Sequence, residues 1–196
     1  MNFKTRNKLT IGLTGGILCG KSTALAAWKG AGAYVISCDE LAREITARSA
    51  VSRRIAALFA TQDRAEIARQ TFSNDTKRKQ LEQLLHPLIL REVKKRLQAA
   101  VQPVRVVEVP LLFEVGLQDA FDLTVCIAAP EKVRAKRLAA RGMTKTDFVK
   151  RSRAQFSQAE KAALADICMI NEGTKQALTQ KTETLYQALS QIYTKH

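Results

Sequence analysis

The stretch from Leu9 to Thr23 reads LTIGLTGGILCGKST, and its reading decides the fold. The first part, Leu9 to Thr14, is a short apolar run that ends in glycines, as a buried strand does. The second part, Gly15-Gly16-Ile17-Leu18-Cys19-Gly20-Lys21-Ser22, matches G-x-x-x-x-G-K-[ST] and opens onto an alanine-rich helical stretch, Ser22 to Ala31. Strand, glycine turn and helix in that order make a phosphate cradle. The glycines let the backbone curl so that its N–H groups face inward, and the helix N-terminus adds the positive end of its dipole. Lys21 then reaches the β- and γ-phosphates of ATP, the Ser22 hydroxyl ligates Mg²⁺, and Thr23 supports the turn. Gly15, Gly16, Ile17, Leu18, Cys19, Gly20, Lys21, Ser22 and Thr23 are all candidate ATP contacts.

Outward from this loop, strand and helix signals alternate. Strands are expected at Tyr34–Ser37, Arg105–Val109 (closed by Pro110), Leu123–Ala128 and Cys168–Asn171. A helix starts at Leu41 behind Asp39, which suits an N-cap. Helical pattern fills Ser52 to Ala100, with breaks near Thr61–Asp63, Ser73–Asn74 and His86-Pro87. Further helices are expected at Pro130–Arg141, within Gly142–Leu164, and at Thr174–Tyr193. Met1 to Lys8 reads as a polar arm. Five continuous apolar strands interleaved with helices imply an α/β fold, with a five-stranded parallel sheet covered on both faces as a three-layer α/β/α sandwich. About fifty residues between the second and third strands are too many for a plain crossover and mark a helical insertion. The expected organisation is one domain, with a core of 9–46, 103–141 and 165–196 and a helical region of 47–102.

The 196 residues suffice for one such domain. No apolar stretch approaches the ~20 residues that span a bilayer, and no signal-peptide core follows the N-terminus, so a cytoplasmic protein without membrane contact is expected. Cys19, Cys38, Cys126 and Cys168 form no CxxC pair and read as buried, reduced thiols. In the phosphate loop, Cys19 faces a helix N-terminus, which would lower its pKa and make it sensitive to oxidation. The net charge of +14, from 32 Lys and Arg against 18 Asp and Glu, favours anionic partners, either nucleic acid or phosphate-rich small molecules. With aromatics at 6% and no recognition motif, nucleic acid is the weaker of the two.

Four further places carry possible chemistry. Asp39 follows the second strand, at the edge where α/β sheets bind ligands. It either accepts a proton from an attacking hydroxyl, orients Mg²⁺, or only caps the next helix. Glu108, near the end of the third strand, either holds Mg²⁺ through water or pairs with an arginine; Glu114 is ambiguous. Arg134, Arg137 and Arg141 share one helix face, with Lys136, Arg151, Arg153 and Lys161 nearby; they are either a phosphate clamp or a solvated basic face. His86 before Pro87 reads as structural on its own.

Together these segments resemble the dephospho-CoA kinase family. The resemblance rests on Ile11–Gly16 with Gly20–Thr23, on Asp39 with Ala42 and Arg43, and on Leu81 with His86-Pro87-Leu88-Ile89. It rests further on Val109–Glu114 (VPLLFE), Ala129–Glu131, Arg137-Leu138 with Arg141, Gln155, Lys161 and Met169–Gly173. It implies a P-loop core, a helical CoA-binding insertion and a lid at 142–164. It implies that ATP phosphorylates the ribose 3′-hydroxyl of dephospho-CoA, giving CoA and ADP. Asp39 becomes the base and Arg137 a phosphate clamp, with Lys21 catalytic beside them. Arg141 and Asn171 lie near ATP. Asp39, Arg43, His86, Pro110 and Leu111 meet the substrate, and Mg²⁺ sits on Ser22 with Asp39 or Glu108. The partners implied are ATP and dephospho-CoA, with no nucleic acid and no membrane; the sequence leaves the oligomeric state open, monomer or weak oligomer. Another nucleoside or nucleotide kinase, or a basic nucleic-acid-binding P-loop protein without kinase activity, are the alternatives.

The chain departs from the family's pattern. Leu18-Cys19 stands for Gly-Ser, Ser37-Cys38 for Asp-Ala, Glu108 for Asp, and Gln158 for a lid arginine; the segment after Ile45 lacks Pro-Gly. Leucine does not freely take positive φ, so altered nucleotide affinity is expected.

Overall fold

The computed structural model describes residues 1–140, 142, 144–153 and 155–194. They form two compact units, Met1–Ile36 with Ala100–His196, and Ser37–Ala99. The sequence reading started the helical region at 47; the compact unit starts at Ser37.

The first unit is built on strands β1 (Leu9–Gly15), β2 (Tyr34–Ser37), β3 (Val104–Glu108), β4 (Leu123–Ala128) and β5 (Ile167–Ile170), in the spatial order β2-β3-β1-β4-β5. β1 lies parallel between β3 and β4, with Ile11 level with Val106 and Leu123, and β5 runs parallel to β4. All seven residues of β1 are buried, as a central strand covered on both faces requires. One face packs on α1 (Lys21–Gly30) and α9 (Lys175–Thr194) through Leu9, Ile11, Leu13, Trp28, Val125 and Leu178. The other face receives α8 (Gln158–Leu164). α6 (Glu131–Ala140) follows β4, and α7 (Lys145–Arg153) precedes α8. α8 begins with a capping box: the Ser157 hydroxyl accepts the Glu160 N–H at 3.2 Å, and the Glu160 carboxylate accepts the Ser157 N–H at 2.7 Å.

The first eight residues are not the loose polar arm that their composition suggests. Phe3 is buried against Phe121, 5.2 Å between ring centroids, and its N–H donates to Ala120 at 2.9 Å. Arg105, wholly buried on β3, donates to the hydroxyls of Thr5 and Thr10, and burial pulls its pKa down. Lys8 donates to the Ala100 carbonyl at 2.6 Å. One apolar ring and one buried guanidinium override the local polarity.

The second unit comprises α2 (Cys38–Ala47), α3 (Ser49–Phe59), α4 (Arg64–Ser73) and α5 (Asp75–Ala99). α5 is contacted by the other three, with Leu41, Ile45, Ile55, Phe59, Val93 and Leu97 buried. Asp63 caps α4 by accepting the Ala65 N–H at 2.9 Å. The expected break at His86-Pro87 is absent: α5 runs through Pro87. A proline costs an internal helix ~3 kcal/mol, and the packing of α5 against three neighbours outweighs that. Asp39 is no N-cap either. It is the second residue of α2, whose N-cap is Ser37.

Cys19 and Cys126 are buried, Cys38 is half-buried, and Cys168 is exposed, contrary to the expectation that all four are core thiols. Cys168 faces out because β5 is an edge strand with Cys168 and Ile170 on its open side.

Candidate functional site: the phosphate loop and its surroundings

The loop between β1 and α1 takes the shape its glycines permit. Gly15 has φ +144°, and a Cβ there would sit 2.2 Å from the Ile127 carbonyl oxygen. Gly20 has φ +105°, and a Cβ there would meet the Asn171 amide at 2.4 Å. Only glycine fits either place. Between them Leu18 also lies in the left-handed region, at φ 65°, a conformation that costs a side-chain-bearing residue roughly 1–2 kcal/mol.

Such strain persists where neighbours over-determine it, and here four side chains hold the loop from outside. Arg134 Nε donates to the Ile17 carbonyl at 3.1 Å, and Arg137 Nη1 to that of Leu18 at 2.9 Å. Asn171 Nδ2 donates to the Cys19 carbonyl at 2.7 Å, and the Cys19 thiol lies 2.7 Å from Gln158 Oε1, which accepts its proton. Three successive carbonyls, those of Ile17, Leu18 and Cys19, are thus engaged by side chains from outside the loop. Lys21 Nζ donates to the carbonyls of Gly15 and Gly16, 2.9 Å each. Ser22 is exposed at the start of α1.

The thiol of Cys19 is the opposite of the activated one expected from its position. Burial pushes its pKa up, more than the charges of Arg134 and Lys21 pull it down. It is fully buried, so desolvation of the thiolate wins over the helix terminus.

The end of β3 is fixed on the same side of the sheet. Glu108 is buried. Lys161 of α8, with no exposed surface, pairs with Glu114 at 2.9 Å and donates to the Pro110 carbonyl at 2.5 Å. Glu114 also accepts the Phe156 N–H at 2.8 Å. Pro110 and Leu111 are half-buried. The Lys161–Glu114 pair was not read from the sequence. The Ser157-x-x-Glu160 capping signature could have placed the start of α8 and so directed Lys161 inward.

Two clefts flank the loop. One, about 370 Å³, is lined by Leu18, Lys21, Thr23, Arg137, Asn171 and Lys175. The other, about 440 Å³, is lined by Gly16, Ile17, Arg134, Phe148, Ser152 and Gln158. Both are of ligand size. Phe148 carries the Arg134 guanidinium over its ring at 4.9 Å. In the helical unit, Asp39 is exposed on the first turn of α2, His86 is half-buried on α5, and Arg43 borders a cleft of about 500 Å³ with Ile55, Arg64 and Phe72. Arg141 and the side chains of Arg151 and Arg153 lie outside the described residues.

The family model and the curated relatives agree on one family. The dephospho-CoA kinase family model matches residues 9–177. The chain belongs to the dephospho-CoA kinase family. A dephospho-CoA kinase from Thiobacillus denitrificans is 36% identical over 91% of this chain and 94% of its own length. A solved Thermus thermophilus protein superposes with a TM-score of 0.81 at 32% identity, covering 94% of this chain and 97% of that one. The Campylobacter jejuni dephospho-CoA kinase gives 0.69 at 25% identity, covering 93% and 97%. A shikimate kinase from Aquifex aeolicus, 18% identical with a TM-score of 0.50, shares the fold. The chain is therefore a phosphotransferase of the dephospho-CoA kinase family, on the P-loop kinase α/β fold, and ATP is the phosphoryl donor in this family.

Proposed function

We propose that this chain transfers the γ-phosphoryl group of Mg-ATP to the ribose 3′-hydroxyl of dephospho-CoA. The observation that carries the reading is the phosphate loop itself, with three carbonyls held by Arg134, Arg137 and Asn171 and two clefts beside it. The cleft that Lys21, Thr23, Arg137 and Asn171 line is assigned to the nucleotide. Lys21 leaves its two carbonyl partners to bind the β- and γ-phosphates. Arg137 is already at the loop and neutralises charge that spreads over the transferring oxygens. Asn171 sits beside the nucleotide.

Asp39 is assigned as the base for the ribose hydroxyl. The support is its place in the first turn of the helix that directly follows β2. Arg43, His86, Pro110 and Leu111 are assigned to the acceptor. The donors on hand for Mg²⁺ are hard oxygens, the exposed Ser22 hydroxyl with Asp39 or Glu108, and such sites are completed by phosphates and water. Among the described residues no three His, Cys, Asp or Glu side chains cluster as a closed metal cage. Ser22, with Asp39 or Glu108, would hold the Mg²⁺, which would supply positive charge to offset that of the phosphates. No helix among the described residues is long and apolar enough to cross a membrane; a cytoplasmic location is assigned from the family's biosynthetic chemistry. Nucleic acid is not among the partners assigned, and the chain is assigned as a monomer or weak oligomer.

The test is ADP release from Mg-ATP with dephospho-CoA, adenosine or AMP as acceptor. Turnover on dephospho-CoA alone is expected, and Asp39→Asn should lower kcat by about 10²–10⁴ while the protein stays folded. Preference for adenosine or AMP would overturn the acceptor assignment. An undiminished kcat in Asp39→Asn would overturn the base.

A further inference from the structure

Gln158 departs from the family's arginine, and nothing in the reaction asks for a glutamine there. Its surroundings do. It is the first residue of α8, and the Ser157–Glu160 capping box fixes that turn. Its Oε1 accepts the Ala129 N–H at 3.0 Å and its Nε2 donates to the Ala129 carbonyl at 2.9 Å, so both backbone polar groups just beyond β4 are satisfied by one amide. The same Oε1 accepts the Cys19 thiol proton. Cys19, the neighbouring departure from the family, is wholly buried. The two substitutions therefore meet in one contact, between residues 139 apart in sequence. One turn along, Lys161 ties α8 to Pro110 and Glu114. Helix α8 thus holds the phosphate loop, the end of β4 and the end of β3 at once.

We infer that Gln158 is a positioning residue for nucleotide binding, acting through the Cys19 thiol to hold the phosphate loop in the curl that Leu18 strains. An arginine has no acceptor for either the Cys19 thiol or the Ala129 N–H, and would leave Ala129 half-served. A serine at 19 would present a shorter side chain to the amide. The pair works as a unit, and its effect falls on ATP, because Gln158 acts on the phosphate loop through Cys19. This rests on the proposed phosphotransfer only for its kinetic readout.

The experiment compares wild type, Gln158→Met, Cys19→Ala, Cys19→Ser and the Gln158→Met/Cys19→Ala double variant. Gln158→Met keeps length and apolar packing and removes every hydrogen bond. It should raise KM for ATP about tenfold, equivalent to about 1.4 kcal/mol, with KM for dephospho-CoA unmoved. The double variant should be no worse than Gln158→Met alone, and Cys19→Ser should retain more ATP affinity than Cys19→Ala. Site-resolved alkylation followed by mass spectrometry adds a direct readout: the Cys19 thiol should react at least tenfold faster in Gln158→Met. Fluorescent ATP-analogue binding reads the loop even if dephospho-CoA proves not to be the acceptor. Additive single effects, an unmoved ATP affinity in Gln158→Met, or unchanged Cys19 alkylation would each overturn the inference. If Gln158→Met does not fold, the Cys19→Ala and Cys19→Ser affinities decide it: equal values overturn the inference, and better binding by Cys19→Ser supports it.

Discussion

Restoring the family's glycine at position 18 should destabilise this protein rather than relieve it. Leu18 holds φ 65°, and glycine would remove roughly 1–2 kcal/mol of strain. Against this, the leucine side chain is only 8% exposed, and returning a buried leucine to water forfeits about 1.5–3 kcal/mol. Glycine also adds unfolded-chain freedom worth ~0.5–1 kcal/mol. The balance is a loss of about 1–2 kcal/mol for Leu18→Gly, or roughly 2–8 °C in Tm for a domain of this size. The carbonyl of residue 18 would still accept from Arg137, so the loop's outer bonds survive the change. The assay is thermal unfolding without nucleotide, followed by circular dichroism. A higher Tm in Leu18→Gly would refute the reasoning, since backbone strain would then exceed the worth of the leucine's burial.

Two other outcomes follow from the same unit. Lys161→Met should cost up to about 3 kcal/mol by leaving the half-buried Glu114 without its cation, and adding Glu114→Leu should recover part of that in urea unfolding. At Asp166, the Thr124 hydroxyl and N–H hold the carboxyl below its ordinary range. With a folded pKa depressed below the unfolded one near 3.9, its contribution is fully present above the unfolded value and is lost as pH falls through the folded one. Denaturant unfolding at pH 7 and pH 3 should therefore show a smaller acid loss for Asp166→Asn than for wild type; an equal loss would remove Asp166 from the acid transition.

Strands were the most legible part of the sequence, because a strand covered on both faces must be apolar throughout. Tyr34–Ser37 and Leu123–Ala128 were read to the residue, and the other three to within one. The breaks at Thr61–Asp63 and Ser73–Asn74 were legible from turn-forming residues. Pro87 misled because its local cost is real, while the tertiary contacts of α5 that outweigh it are not written near it. Asp39 misled as a cap because Ser37, two residues earlier, takes that place. Phe3 was hidden in a polar arm since its partner, Phe121, is far along the chain. The phosphate loop was fully legible as a motif, but its outer supports were not. Asn171 and Gln158 act on Cys19 from more than 130 residues away, and spacing carries no trace of such a meeting. The Cys19 thiol had two readings in the sequence, a buried reduced thiol and one activated by the helix terminus, and its complete burial favours the first.

The N-terminal arm has a practical consequence for anyone producing the protein. Phe3, Thr5 and Lys8 each hold a partner at the start of the sheet, so these eight residues belong to the folded body although they look expendable on paper. A purification tag should be joined ahead of Met1 through a slack spacer, because a cloning scar that replaces Phe3 would leave Phe121 facing water. Amide exchange would show the difference at once: the Phe3 N–H should exchange on the time scale of the neighbouring strand, not on that of a frayed terminus.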